Sequence, residues 1–498
     1  MTGQLIHTLL DGAASEAPDA PAVTDVHGTT SYRTLARLSH AFAHWLRRAG
    51  LAPGDRLVVQ LPSRLEQVAM FYGASRAGVV FVPLNPAMKE FHLASVFGNA
   101  EPALVLAVGD AVPRLRGLAG VPVRDAAEVW AEVRGLAESD LPPLGDEVRP
   151  QDVAVLIYTS GSTAAPKAVI GPHAQVVFAC RAIQQVLAYR ADDVVFCRFP
   201  LSWDYGLYKV LLCCLGRSRI VLAGEESDLR LIGLMAETGA TVVPIVPSLA
   251  GMIATLAVRH AERPPVRMFT NTGAALGAAT TAALRELFPG VRVVRQFGQT
   301  ECKRVSIMPP GQDRERPGSV GLPLPGTSVL ILDQDGGAVP AGEVGEIVVA
   351  GPHVMPGYWR APEVTARTFR TGPDGETRLH TGDYGSFDAD GYLYFEGRRD
   401  DMFKRKGIRM SVLEIEAAAT DIDGVRAAAV LPPSDGRDLA VVVESDDLAP
   451  HVVLKELAQR LEPAKVPALC RVLPDLPLTL HGKNSREALA GLFDGEEP

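Results

Sequence analysis

An alternation running from Ser31 to about Phe297 constrains this chain most. Short apolar runs of strand character alternate with longer stretches of helical period. Residues 31–50 predict a helix, with Leu35, Leu38, Phe42, Trp45 and Leu46 on one face, Ser31 as cap and Gly50 as terminator. Residues 56–61 predict a strand, 65–77 a helix and 79–83 a strand. Residues 153–157, 220–222 and 242–246 repeat the theme. Strands alternating with helices imply a mostly parallel α/β sheet. Beyond Ser328 the texture changes. Residues 329–332 and 346–349 are short strands with turns such as Asp335-Gly336-Gly337 between them, which predicts a β-rich subdomain over about 328–396.

A polar run, Gly397-Arg398-Arg399-Asp400-Asp401, follows and suits a linker rather than a core. The last hundred or so residues predict a small α+β unit, with a helix over 412–420 and strands near 427–431 and 439–443. The expected organisation is therefore α/β: a body over 1–396, a hinge at 397–400 and a smaller domain over 401–498. At 498 residues, 47% apolar and 21% charged, the chain has the composition of a well-cored protein and too much length for one ordinary domain.

The net charge of −9 argues against a general binder of nucleic acid or anionic membrane. The N-terminal residues lack the basic region of a secretory signal, and no apolar run approaches the ~18 residues of a membrane span. The six cysteines form no CxxC pair and have no histidine cluster at zinc spacing. Cys213 and Cys214 sit in an apolar run and read as buried thiols, so the expected setting is cytoplasmic. Only nine of the 49 basic residues are lysine. Source composition explains the scarcity, but a lysine surviving in a loop is worth attention.

Five segments carry candidate chemistry. Residues 158–167 (YTSGSTAAPK) follow a predicted strand and hold four Ser/Thr hydroxyls, a glycine and Lys167. Hydroxyls and backbone N–H groups satisfy phosphate oxygens and an ammonium adds a charge. The segment reads as an anion site or as an ordinary loop; it lacks the order of a Walker A motif. Residues 296–301 (QFGQTE) lie at the carboxyl end of a predicted strand, where ligands gather in open α/β sheets. Glu301 is suited to Mg2+ bridging phosphates, or the segment is a solvated turn. Thr381-Gly382-Asp383 reads as a tight glycine turn whose carboxylate either closes an Asx-turn or accepts ribose hydroxyls. Residues 397–416 hold Arg398, Lys404, Lys406, Arg409, Glu414 and Glu416 around Gly407. Residues 477–483 (PLTLHGK) end on Lys483. Solvation of a charged surface explains each of these last two equally well.

In this order and spacing, the segments resemble the adenylate-forming superfamily of acyl-CoA synthetases, nonribosomal-peptide adenylation domains and luciferases. Residues 74–86 (ASRAGVVFVPLNP) and 342–359 (GEVGEIVVAGPHVMPGYW) match further motifs of that superfamily, and the resemblance covers nearly the whole chain. It implies two half-reactions: ATP and a carboxylic acid give an acyl-adenylate, and a thiol of CoA or of phosphopantetheine on a carrier protein then displaces AMP.

By match, Thr159, Ser160, Gly161, Ser162, Thr163 and Lys167 hold the β- and γ-phosphates. Phe297 stacks on adenine, with Ala274, Ala275 and Gly298 also at the nucleotide. Thr300 touches the α-phosphate, Glu301 binds Mg2+, and Asp383 and Arg398 hold the ribose. Lys483 bridges the acid and the α-phosphate. Asp400 is the hinge, and Lys404, Gly407 and Arg409 line the thiol channel. Ala164, Phe297 and His481 stand where the superfamily favours Gly, Tyr and Asn.

Residues 203–208 (WDYGLY) resemble the segment whose aspartate grips the amino group of an amino-acid substrate. The implied pocket is Trp203, Asp204, Tyr205, Tyr208, Thr270, Thr272, Arg304 and Val305. Asp204 either meets a substrate amine or pairs internally, with Arg304 the expected partner; Arg304 can instead meet a substrate carboxylate. An aryl or short acyl-CoA ligase acting on a non-amino acid is the alternative. A luciferase-like oxygenase and a non-catalytic nucleotide-binding relative are different classes.

Overall fold

The computed structural model describes residues 4–88, 90–145, 147–159, 166–224, 228–260, 262–398, 402–405, 408–434, 437–461, 463, 465–477 and 485–493. The predicted alternation forms two sheets. In the six-stranded sheet the spatial order is Val123–Asp125, Leu104–Ala107, Arg56–Gln60, Val80–Pro83, Val153–Thr159 and Lys167–Pro172. The first five strands are parallel, and Lys167–Pro172 returns antiparallel to Val153–Thr159. Every residue of Val80–Pro83 is buried, as a strand covered on both faces requires.

The larger sheet has a parallel half and an antiparallel half. Pro21–Asp25, Arg219–Leu222, Val194–Cys197, Val242–Ile245, Met268–Asn271 and Arg292–Phe297 run parallel. From Arg292–Phe297 it continues antiparallel through Ser306–Ile307, Ser319–Pro323, Leu393–Arg398, Thr377–Phe387, Gly345–Ala350 and Ser328–Leu332. The β-rich texture seen beyond Ser328 is thus hydrogen-bonded into the same sheet as the α/β part.

Helices form where the apolar period placed them. Tyr32–Arg48 begins at Ser31, whose hydroxyl accepts from the Thr34 N–H, and Gly50 beyond its end has φ +85°. Leu65–Ala77 matches its predicted bounds. Asp204–Gly216 is buried almost all round from Tyr205 to Cys214, so its apolar run is core on every face. Gly206 is required there, because a methyl group would strike the carbonyls of Phe199 and Pro200. All six cysteines are free, and Cys213 and Cys214 are buried as expected.

The C-terminal residues build an antiparallel pair, Met402–Arg405 with Ile408–Ser411, and a three-stranded sheet of Ala427–Leu431, Ala440–Glu444 and Leu469–Leu473. Helices Val412–Thr420 and Pro450–Arg460 pack on it around Ile415, Val441, Val453 and Leu457. Among the described residues no helix is long and apolar enough to cross a membrane.

Candidate active site

Strand ends of both sheets bring the predicted residues toward one region. Thr159 ends one strand and Lys167 begins the next, paired with each other across the hairpin. Ser160, Gly161, Ser162 and Thr163 lie outside the described residues. Lys167 Nζ stands 5.9 Å from the centre of the Tyr358 ring. The Tyr358 hydroxyl donates to Glu301 Oε1 at 2.6 Å, so one phenol bonds one predicted phosphate-site charge and lies within cation–π range of the other. Thr300 is half-buried in the same turn. Among the described residues, the hydroxyl of Tyr358 is the one hydrogen-bond donor to the Glu301 carboxylate.

Phe297 closes its strand and packs against Phe395, with ring centres 5.0 Å apart. Gly298 follows because the chain doubles back: a methyl group there would lie 2.7 Å from Arg304 Cα and 2.8 Å from the Lys303 carbonyl oxygen. Ala274 and Ala275 are exposed in the loop after Met268–Asn271, where Asn271 Nδ2 donates to the Ala274 carbonyl at 2.9 Å.

Thr381-Gly382-Asp383 is not the tight turn expected from its glycine. It lies inside the strand Thr377–Phe387 as a bulge: Val348 faces His380 and Glu346 faces Tyr384, leaving three residues opposite Ile347. A bulge re-aims side chains, and here side chains hold it from several sides. Thr381 Oγ1 donates to the Ile347 carbonyl at 2.5 Å and accepts from the Asp383 N–H at 3.0 Å. The Gly382 N–H donates to Glu346 Oε1 at 3.3 Å, and His380 Nδ1 lies 2.9 Å from Glu346 Oε2. Asp383 is buried, and Arg398 Nε donates to its Oδ1 at 3.0 Å from an exposed position on the neighbouring strand.

The implied pocket assembles around the first turn of Asp204–Gly216. Asp204 does pair internally, but with Lys303 rather than the expected Arg304: Lys303 Nζ donates to Asp204 Oδ2 at 3.0 Å. Lys303 is 2% exposed and the Asp204 side chain 21%, so the carboxylate is the more accessible partner. Lys303 adopts φ +64°, a left-handed conformation that a lysine takes only where its surroundings impose it. Arg304 turns the other way. Its Nε donates to Gln296 Oε1 at 2.8 Å and its Nη1 to the Lys303 carbonyl at 2.7 Å.

Tyr205 lies between these cations, 5.2 Å from the Arg304 guanidinium and 4.5 Å from Lys209 Nζ, and donates to the Thr270 carbonyl at 2.5 Å. Lys303 Nζ sits 4.4 Å from the Tyr208 ring centre. Val305 and Thr270 are buried, and Thr272 is half-buried. Trp203 precedes the helix, its ring centre 6.3 Å from that of Phe199.

Electrostatics follow from this packing. Burial alone pushes the Asp204 carboxyl up, but Lys303 and Arg304 outweigh it and hold it below the ordinary value. Burial lowers Lys303 from 10.5 to about 8, with Asp204 acting upward and Arg304 downward. Burial, reinforced by Arg304 and Lys303, takes Lys209 well below the usual lysine range. Among the described residues, no carboxylate pairs with Arg304 or Lys209.

Lys303, Lys209 and Tyr358 were not picked out from sequence. The lysine scarcity was the available signal for the first two, since both are among the nine. Asp400, Gly407 and Lys483 lie outside the described residues. Lys404 and Arg409 are register partners in the antiparallel pair. Among the described residues no cluster of three or more His, Cys, Asp or Glu is placed to hold a metal ion.

Comparison with known proteins identifies the family. A crystal structure of VinN is 54% identical, superposes with a TM-score of 0.76, and is matched over 79% of this chain and 98% of that one. ATP-bound MatB from Rhodopseudomonas palustris is 26% identical over 98% of this chain and 99% of its own, with a TM-score of 0.86. Novobiocin biosynthesis protein H of Streptomyces niveus is 30% identical over 97% of this chain and 81% of its own length. Other relatives are far longer: the chain spans 8% of tyrocidine synthase 3 of Brevibacillus parabrevis, at 28% identity. A family model described as AMP-binding enzyme matches residues 10–359. With that match spanning most of the chain, and a 30% identical relative matched over 97% of it, this protein belongs to the AMP-binding, adenylate-forming enzyme family.

Proposed function

We propose that this chain activates a small amino dicarboxylic acid with ATP and passes it to a pantetheine thiol of CoA or of a carrier protein. One observation carries the substrate class. Arg304 is buried without a carboxylate partner among the described residues, beside a Lys303–Asp204 pair whose carboxylate is the more accessible member. Two buried cations, Lys303 and Arg304, thus share the single Asp204 carboxylate, and buried charge is costly unless compensated, so a ligand that supplies a second anion there is favoured. An amine entering at Asp204 and a second carboxylate at Lys303 and Arg304 would complete an alternating network of charges. The 54% identical VinN has been crystallised with L-aspartate and with 3-methylaspartate, which supports the same class for this chain.

The chemistry then runs in two balanced steps. An oxygen of the acid's reacting carboxylate forms a bond to the α-phosphorus of ATP, and the bond to pyrophosphate breaks. The thiolate next bonds to the acyl carbon, and AMP leaves with the oxygen that linked it. Charge gathers on phosphate oxygens in the first step, so cations fixed there in advance lower the barrier. Thr159, Ser160, Gly161, Ser162, Thr163 and Lys167 take the β- and γ-phosphates, Thr300 the α-phosphate, Phe297 with Gly298, Ala274 and Ala275 the adenine, and Asp383 with Arg398 the ribose.

Glu301 fits Mg2+: a single partly exposed carboxylate suits an ion that draws its other ligands from phosphates and water. Bound there, Mg2+ would neutralise phosphate charge. Lys483, on a small domain hinged at Asp400, reaches the reacting carboxylate and withdraws to bring Lys404, Gly407 and Arg409 to the thiol.

Trapping acyl-adenylates with hydroxylamine across amino diacids, plain diacids and neutral amino acids tests this reading. Amino diacids are expected to exceed the others at least tenfold. Equal trapping of aspartate and succinate would remove the amine contact at Asp204, and preference for a neutral amino acid would remove the second carboxylate.

A further inference from the structure

The segment ending at Trp359 ties together the two loops assigned to the phosphates. Its backbone pairs with the strand that begins at Lys167: the Ile170 N–H donates to the Gly357 carbonyl at 3.0 Å and the Trp359 N–H to the Ala168 carbonyl at 2.8 Å. Tyr358 itself bridges to Val169. On the other side, the Met355 N–H donates to the Glu301 carbonyl at 2.9 Å. The segment is anchored by Thr365, whose hydroxyl accepts from the Tyr358 N–H at 3.0 Å and donates to the Ala361 carbonyl at 2.9 Å. Gly357, at φ +143°, admits this close approach, since a methyl group would overlap the Thr365 side chain.

Tyr358 is the one side chain of this segment that reaches both charges. It is 9% exposed, its ring packs edge-on against Phe369, its hydroxyl donates to Glu301 Oε1 at 2.6 Å, and its face lies 5.9 Å from Lys167 Nζ. A hydrogen bond to one carboxylate oxygen fixes the rotation of the group and leaves the other oxygen for a ligand. Outer partners of this kind typically change metal affinity by ~10–100-fold. An ammonium within about 6 Å of a ring centre is attracted to its face.

We propose that Tyr358 is a positioning residue for nucleotide binding: its hydroxyl orients the Glu301 carboxylate for Mg2+–ATP, and its ring stations the Lys167 ammonium for the same phosphates. The inference rests on the reading of Glu301 and Lys167 given above. Calorimetric titration of a non-hydrolysable ATP analogue without acid separates the parts. Tyr358→Phe is expected to weaken binding about tenfold with Mg2+ and to leave it unchanged in EDTA. Tyr358→Leu should weaken binding in EDTA as well.

Wild-type affinity in Tyr358→Phe under both conditions would overturn the hydroxyl's role, and an equal loss under both would make it merely structural. Identical EDTA affinities for Phe and Leu would overturn the ring's role. Glu301→Gln tells the two readings apart. If it keeps the full gain from Mg2+, the metal assignment itself fails. If it loses that gain while Tyr358→Phe keeps it, only the inference about Tyr358 fails.

Discussion

Lys303 Nζ lies 3.0 Å from Asp204 Oδ2 and 4.4 Å from the centre of the Tyr208 ring. The two partners are 99 residues apart, one opening a buried helix and the other in a turn just past the carboxyl end of a parallel strand. Their meeting gives the pocket both signs of charge within one hydrogen bond. Replacing either partner should therefore act on substrate choice. Lys303→Met is expected to raise KM for an amino diacid by one to two orders of magnitude and to leave KM for ATP within about twofold, consistent with ~1.5–3 kcal/mol for a charged hydrogen bond. An unchanged acid KM in a folded variant would exclude Lys303 from the acid site.

The same lysine predicts a pH dependence. Its ammonium is lost as pH rises through about 8, where an unfolded lysine holds its proton to about 10.5. kcat/KM for a diacid should fall above pH 8, and Lys303→Arg should keep activity to higher pH. Stability moves the other way. Between about 8 and 10.5 the unfolded chain binds the extra proton, so this group's contribution to stability rises with pH.

Asp383 and Arg398 predict a separation of stability from binding. Arg398 is 56% exposed, so its pair with Asp383 contributes no more than ~1 kcal/mol to folding. Arg398→Ala should shift Tm by a few degrees at most and weaken ATP binding several-fold. A large Tm loss with normal ATP binding would make the pair a structural one.

In the C-terminal sheet region, burial raises the Glu416 carboxyl to about 7, although Oε1 accepts from the Val430 N–H at 2.9 Å. The unfolded carboxyl ionises near 4.5, so the folded chain holds the extra proton between 4.5 and about 7. Stability from this group falls as pH rises across that window, by up to ~1.4 kcal/mol per pH unit. Urea midpoints measured from pH 5 to 8 should decline, and Glu416→Gln should flatten the decline.

Much of the fold was legible because its signals are local. The helix over Leu65–Ala77 and the strand Ala427–Leu431 fall where their apolar patterns end, and Ser31 caps the helix it precedes. The Thr381–Asp383 bulge was not legible as such. A glycine next to an aspartate signals a turn equally well, and only pairing with Glu346 and Val348 on the adjoining strand makes it a bulge.

By itself the sequence determined the family and the segments proposed to carry its chemistry, because loop motifs are contiguous and their order survives in one dimension. Tertiary structure alone decided which charges meet. Asp204 has Lys303 rather than Arg304 because the left-handed turn at Lys303 and the close return past Gly298 point neighbouring side chains in different directions. Tyr358 joins Glu301 to Lys167 for the same kind of reason: its segment adds itself to a strand laid down almost 200 residues earlier.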